Sequence, residues 1–131
     1  MIHVLFVDDE PDLLKLFQAQ LTQVTRGEHV VVNAVDSAQK CIDYLADQGV
    51  EEMALVISDI NMPEMDGLAL LKVVQKRFPQ VKVYICSGHD TPFHRKNSRD
   101  QGAMRFFAKP LNISDLYRAM IEDFPLDLPS A

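Results

Sequence analysis

Five short apolar runs, separated by segments of a different periodicity, restrict what this chain of 131 residues can become. They lie near residues 2–7, 30–35, 54–59, 81–87 and 104–108 and are rich in β-branched side chains. Runs of this kind read as strands buried on both faces of a sheet. The segments between them carry the helical period. Residues 11–24 open with Pro11, which a first helical turn accepts, and place Leu14, Phe17, Leu21 and Val24 on one face. Ser37 can cap a helix whose stripe is Ala38, Cys41, Ile42 and Leu45. A third helix is predicted from Gly67 to Arg77 with Leu68, Leu71 and Val74 inward, stopped by Phe78-Pro79. Asn112, with Asp115 three residues on, predicts the cap of a last helix reaching about Asp123. Residues 92–101 have almost no apolar stripe and read as a loosely held, exposed helix. The alternation is thus (βα)5, an α/β pattern, which implies right-handed crossovers and a doubly wound, parallel, five-stranded sheet.

Such a sheet binds its ligands outside the carboxyl ends of its strands. Four of the runs end in groups with chemistry to offer: Asp8-Asp9 after Val4-Leu5-Phe6-Val7, Asp59 after Leu55-Val56-Ile57-Ser58, Ser87 after Val83-Tyr84-Ile85-Cys86, and Lys109 after Phe106-Phe107-Ala108. Three acids, a hydroxyl and a lysine would therefore meet in one place. Three carboxylates so close repel one another by roughly 4 kcal/mol per pair at an effective dielectric near 20. The cluster calls for a cation, and an all-oxygen, partly hydrated site with few carboxylates suits Mg2+ better than a caged Ca2+ or a soft metal. An aspartate can also act as a covalent nucleophile toward phosphorus, which makes Asp59, on the middle strand of the acid-bearing group, the candidate acceptor of a phosphoryl group.

Composition narrows the field further. With 47% apolar content the chain suffices for one domain with a single core. The net charge of −6 argues against direct contact with nucleic acid, which would want a basic face. Cys41 and Cys86 are far apart, with no CxxC and no zinc spacing, and read as buried thiols of a reduced protein. No apolar stretch approaches the roughly 20 residues of a membrane span, and Met1-Ile2-His3 does not begin a signal peptide. The expected location is cytoplasmic, with no membrane partner. His3, His29 and His94 are single and far from the acids, and no function is read from them.

The motifs Val7-Asp8-Asp9-Glu10, Ser58-Asp59-Ile60-Asn61-Met62-Pro63-Glu64-Met65-Asp66-Gly67, Cys86-Ser87-Gly88 and Ala108-Lys109-Pro110 together resemble those of the receiver domain of two-component response regulators. They fall in that family's order and at its usual separations, and the resemblance runs from residue 2 to about residue 123. It implies a flavodoxin-like, CheY-like sheet with strand order 2-1-3-4-5, a domain over residues 1–124, and a tail or linker over 125–131. It further implies Mg2+, with Mn2+ able to substitute, held by Asp9, Asp59 and the backbone carbonyl of Asn61, with Asp8 acting through water. Asp59 would be the phosphoacceptor, Lys109 its cationic partner across the phosphoryl group, and Lys109-Pro110 a cis peptide. Ser87 and Phe106 would be the switch residues. Asn61 and His89, two positions beyond the acceptor and the hydroxyl, would flank the attacking water and tune dephosphorylation.

The function implied is a phosphorelay switch, not a turnover enzyme. A sensor histidine kinase or a histidine phosphotransfer protein would donate the phosphoryl group, and a downstream effector or a second receiver copy would meet the face formed by the fourth helix, fifth strand and fifth helix. Residues 110–131 leave room for one helix and a tail after Lys109. A haloacid-dehalogenase-type phosphatase also uses an aspartyl nucleophile, but it wants D-x-D on one strand, and the position two past Asp59 is Asn61. A phosphorylation-independent, receiver-like interaction module is the other alternative; such chains usually lose an acid or the lysine, and all are kept here. In the first helix Leu13 and Leu16 point to the side of the buried stripe, where they could form a kinase-contact patch.

Overall fold

The computed structural model describes residues 2–48 and 54–124, in which strands and helices alternate without exception. In chain order they are β1 (Ile2–Val7), α1 (Pro11–Thr25), β2 (Val30–Val35), α2 (Ala38–Gln48), β3 (Ala54–Asp59), α3 (Gly67–Arg77), β4 (Val81–Ser87), α4 (Pro92–Asp100), β5 (Arg105–Ala108) and α5 (Ile113–Asp123). The strands pair in parallel in the order β2-β1-β3-β4-β5. The chain steps outward from β1 to β2, then crosses back to β3 and proceeds to β5. The winding direction reverses between β1 and β3, and that is where the carboxyl ends of a doubly wound sheet leave a crevice. The tail expected over 125–131 lies outside the described residues.

The period of two along each strand divides the interior between two faces. On one face Ile2, Val4 and Phe6 of β1 join Leu55 and Ile57 of β3 beneath Leu14, Phe17 and Leu21 of α1 and Leu116, Tyr117 and Met120 of α5. On the other, Leu5 and Val7 join Val56, Val83 and Ile85 beneath α2 and α3. Fully burying one such side chain contributes about 1.5–3 kcal/mol. Both cysteines are buried and free, and burial pushes each thiol up to about 12, which leaves them inert.

The helices follow the sequence closely, with one departure. Leu14, Phe17 and Leu21 of α1 are buried as expected, Pro11 occupies its first turn, and the Thr25 hydroxyl donates to the Leu21 carbonyl at 2.8 Å. In α3 the inward stripe is Gly67, Leu70, Leu71 and Val74, with Leu68 only half-buried, so the helix is rotated from the expected Leu68–Leu71–Val74 face. The cause is Gly67. Its N–H donates to the Ile60 carbonyl at 2.8 Å, and a Cβ there would stand 2.1 Å from the Asp59 carbonyl oxygen. The backbone of α3 therefore starts in direct contact with the end of β3, and the first turn must face the sheet. In α4 the Thr91 hydroxyl accepts the His94 N–H at 3.1 Å and caps a helix in which only Ser98 is buried. Its exposure matches the loose helix expected there.

The far end of α5 is fixed by a polar network across the sheet edge. Tyr84 of β4 is fully buried, and its hydroxyl donates to the Asp123 carboxylate. Arg105 of β5 grips the same carboxylate with two donors at 2.7 and 2.8 Å and reaches Glu122 at 2.8 Å. Paired N–H donors on one carboxylate make this the strong, geometrically specific kind of ion pair. The Arg105 hydrogen bonds hold the Asp123 carboxyl below the usual carboxylate range, against the opposing pull of burial.

Two measurements follow from these contacts. A depressed folded pKa stabilises the fold above the unfolded carboxylate value near 4 and loses that contribution as pH falls through the lower folded value. Asp123→Asn is therefore expected to lower the unfolding free energy by about 2 kcal/mol at neutral pH. In urea titrations the gap between variant and wild type should close below about pH 3, and a gap that is constant with pH contradicts the assignment. Gly67→Ala should destabilise the chain by about 1–3 kcal/mol, because the new methyl meets backbone on a strand and not a movable side chain. Unchanged thermal and chemical unfolding would refute this close approach.

Candidate functional site

Each strand that reaches the crevice ends in one of the residues singled out by the sequence. Asp8 follows β1, Asp59 closes β3, Ser87 closes β4 and Lys109 follows β5. The β4 and β5 ends are tied together by the Lys109 N–H, which donates to the Ser87 carbonyl at 2.8 Å. Lys109-Pro110 is a cis peptide. From there the lysine side chain reaches back across the strand ends. Its Nζ lies 2.9 Å from Asp8 Oδ2 and 3.1 Å from Asp59 Oδ2.

Both carboxylates are nearly inaccessible, with Asp8 at 4% exposure and Asp59 at 6%. Beneath them Phe6, Phe17, Ile57 and Leu111 close on a cavity of about 10 Å3, no larger than one water needs. This apolar floor explains the electrostatics. Burial raises the Asp59 carboxyl above its ordinary value and the Asp8 charge adds to the rise, while the Lys109 ammonium and the Asn61 N–H oppose it. Burial alone would lower the Lys109 ammonium, but its hydrogen bonds to Asp8 and Asp59 carry it well above the usual lysine range. The lysine is thus held charged between two acids from different strands.

The remaining oxygens have defined partners. Asp8 Oδ1 accepts the Glu10 N–H at 3.0 Å, which leaves no carboxylate oxygen of Asp8 without a donor. Asp59 Oδ1 accepts the Asn61 N–H at 3.4 Å. Asp9 is exposed and its side chain has no hydrogen bond or ion pair among the described residues. Asp8, Asp9 and Glu10 each offer a carboxylate oxygen within 4.8 Å of the other two, a hard, all-oxygen donor set of the type a small divalent cation takes. Glu10 was given no role by the sequence, although it prolongs the acid run. Its place as the residue before Pro11 of α1 turns it back toward Asp8.

The other predicted residues form a second layer. Ser87 is fully buried, and its hydroxyl accepts the His89 N–H at 3.1 Å. Among the described residues no hydrogen bond joins that hydroxyl to Asp8, Asp59 or Lys109. Asn61 and His89 are exposed on the two loops that border the acids, and the His89 ring stacks on His94 with centroids 5.6 Å apart. Phe106 is half-buried, and the Arg95 guanidinium lies over its ring at 5.0 Å. Arg95 is itself paired with Asp90, on the loop that leaves Ser87. Nothing in the sequence pointed to Arg95, because its contact joins α4 to β5.

The sequence profile of the response regulator receiver domain matches residues 4–121. The chain is 34% identical over 128 residues to the transcriptional regulatory protein GlrR of Escherichia coli K12, covering 98% of this chain but 27% of that protein. The chain thus spans about a quarter of that bacterial relative's length. It is 30% identical over 125 residues to the two-component response regulator ORR11 of Oryza sativa subsp. indica, covering 94% of this chain and 81% of that one. In three dimensions it superposes on the response regulator TrrA of Thermotoga maritima, solved in complex with Mg2+-BeF, with a TM-score of 0.74 at 22% identity, covering 93% of this chain and 98% of the other. Three strand ends that deliver two buried aspartates and a lysine to one crevice, in a sequence matched almost from end to end, place this chain in the family of response regulator receiver domains.

Proposed function

We propose that the chain is a phosphoacceptor switch, cytoplasmic, in which Asp59 takes a phosphoryl group from a phosphohistidine of a sensor histidine kinase or a phosphotransfer protein. The observation that carries this reading is the Lys109 ammonium within 3.1 Å of both Asp8 and Asp59. A fixed cation beside a buried carboxylate steadies charge as an anionic phosphoryl group comes in. One Asp59 carboxylate oxygen attacks phosphorus, the P–N bond to the donor imidazole breaks, and the imidazole leaves as the neutral ring after taking up a proton. The donor set around Asp8, Asp9 and Glu10 suits Mg2+, and the residues proposed to hold it are Asp9, Asp59 and the Asn61 carbonyl, with Asp8 acting through water. When bound, the metal would offset negative charge and orient the incoming group. The Thermotoga maritima relative, solved with Mg2+-BeF, supports the same choice.

The product carries about −1.5 to −2 charges and three acceptor oxygens that Asp59 lacked. Ser87 would exchange its contact with the His89 N–H for a hydrogen bond to the phosphoryl group, drawing the loop over residues 88–91 toward the site. Asn61 and His89, exposed on either side, would set access of water and so the rate of autodephosphorylation. The output is a reshaped α4-β5-α5 face, with Phe106 turning as the loop moves. Turnover of a separate substrate forms no part of this role.

Incubation with acetyl phosphate and Mg2+ should add one phosphoryl mass to the intact chain, and Asp59→Asn or excess EDTA should abolish the addition. Equal modification with the metal removed would sink the reading. A second test concerns the donor. Leu16 of α1 is 48% exposed on the helix that follows the acids, beside Leu13, which is half-buried against the edge of the core. Leu16→Ala should slow phosphotransfer from the cognate kinase by about tenfold while the acetyl phosphate reaction is unchanged. Identical transfer rates would remove α1 as the docking helix.

A further inference from the structure

Two imidazoles meet beside the loop that leaves Ser87. His89 lies on that loop and His94 in the first turn of α4, and their rings stack with centroids 5.6 Å apart and planes 25° from parallel. His94, from which the sequence suggested no function, is the fixed member. The Thr91 hydroxyl accepts its backbone N–H at 3.1 Å and also stands 2.6 Å from its Nδ1. The Phe93 ring meets it edge-on, 5.5 Å between centroids and 83° between planes. A half-buried ring pinned by a hydroxyl and an aromatic neighbour is a fixed platform. His89 is the movable member. It is exposed, it follows Gly88, where a Cβ would meet nothing within 4 Å, and its ring makes no hydrogen bond among the described residues. The contact that holds the His89 ring is the stack on His94.

Resting on the phosphoacceptor reading, we propose that His94 is a positioning residue for hydrolysis of the aspartyl phosphate: its ring parks His89 on α4, and release of His89 shortens the life of the phosphorylated state. In that hydrolysis a water oxygen bonds to phosphorus as the P–O bond to Asp59 breaks. Asp59 leaves as the carboxylate, inorganic phosphate departs, and one proton of the water must be taken up. Lys109 is a cation with no lone pair to offer, both Asp8 oxygens already accept donors, and Asp9 and Glu10 belong to the donor set that suits the cation. His89, on the loop whose hydroxyl the phosphoryl group would engage, carries an imidazole lone pair suited to the task, and it can hand the proton on to solvent. While stacked on His94 that ring is withheld. The parking therefore depends on where α4 sits. A displacement of α4 that carries His94 away would free His89 and hasten loss of the phosphoryl group, and anything that holds α4 in place would prolong it. The duration of the signal is thereby tied to the helix that carries His94.

The test phosphorylates the full chain with acetyl phosphate and Mg2+, removes the donor by desalting, and follows decay of the aspartyl phosphate by intact mass. His94→Ala and His94→Gln should each shorten the half-life at least about threefold, the scale of losing one aromatic contact. His94→Phe keeps a ring for His89 to lie on and should stay within about twofold of wild type. The effect must also pass through His89, so adding His94→Ala to His89→Ala should leave the half-life of the single His89 variant unchanged. Circular dichroism checks the fold of each variant, and a general loosening of α4 would not be silenced by His89→Ala. Half-lives that are unchanged or longer in both His94→Ala and His94→Gln overturn the proposal. So does a shortening that His94→Phe fails to restore, or one that persists in the His89→Ala background. A chain that takes no phosphoryl group overturns the phosphoacceptor reading and this inference with it, whereas a phosphorylated chain whose decay ignores His94 overturns this inference alone.

Discussion

The Lys109 ammonium holds the arrangement together. Two carboxylates buried at the ends of different strands would repel by roughly 4 kcal/mol at an effective dielectric near 20, and burial would add a desolvation penalty to each. A single cation shared at 2.9 and 3.1 Å turns that repulsion into a bridge from β5, at the sheet edge, to β1 and β3 at its centre. The apolar floor of Phe6, Phe17 and Ile57 can close under the acids only because the charges above are matched. What the sheet topology provides is the approach. The winding reversal between β1 and β3 brings Asp8 and Asp59 side by side, and the backbone bond from Lys109 to Ser87 sets the height from which the lysine reaches in.

Much of this was legible from the residues alone, because a parallel sheet announces itself in the sequence. Val4-Leu5-Phe6-Val7 and Leu55-Val56-Ile57-Ser58 are buried on both faces, so both registers of the strand must be apolar, and the first chemically active group marks its end. The meeting of Asp8, Asp59 and Lys109 was foreseeable from the strand ends, whereas the strand order came only with the family resemblance. The rotation of α3 was not. A 3.6-residue period fits Leu68 and Leu70 almost equally well, and the choice is made by Gly67 pressed on the Asp59 carbonyl, a contact between backbones that side-chain patterning does not record. Arg95 over Phe106 and Tyr84 on Asp123 were unreadable for a related reason. Each joins residues far apart in sequence through one long polar side chain, with no periodic signal to announce it.

The two helices flanking β5 differ in how they are attached, and the difference begins in their composition. α5 offers Ile113, Leu116, Tyr117, Ala119 and Met120 to the interior, while α4 offers Ser98 alone. The apolar contribution of a handful of buried side chains, each about 1.5–3 kcal/mol, is present on one side of β5 and absent on the other. What α4 has instead is local and polar: the Thr91 cap, the His94 and His89 stack, and the Arg95 pair with Asp90. Contacts of that kind hold a helix together, and its polar link to the sheet is the Arg95 guanidinium over the Phe106 ring. The Ser98 hydroxyl, buried with no hydrogen-bond partner among the described residues, adds nothing to its adhesion.

The Tyr84–Asp123–Arg105 network has a mechanical consequence. It rivets the end of α5 to β4 and β5 together, so these three elements form one stiff plate along the sheet edge. α4 is hinged to that plate through its loops and lies on it with little adhesion. A push delivered along β4 by the proposed switch would meet unequal compliance on its two sides, and displacement would collect where local opening is easiest, in α4. Under the proposed switch the molecule would act as a lever with one clamped arm and one free arm, and the clamp would be a tyrosine hydroxyl on the far side of the sheet from α4.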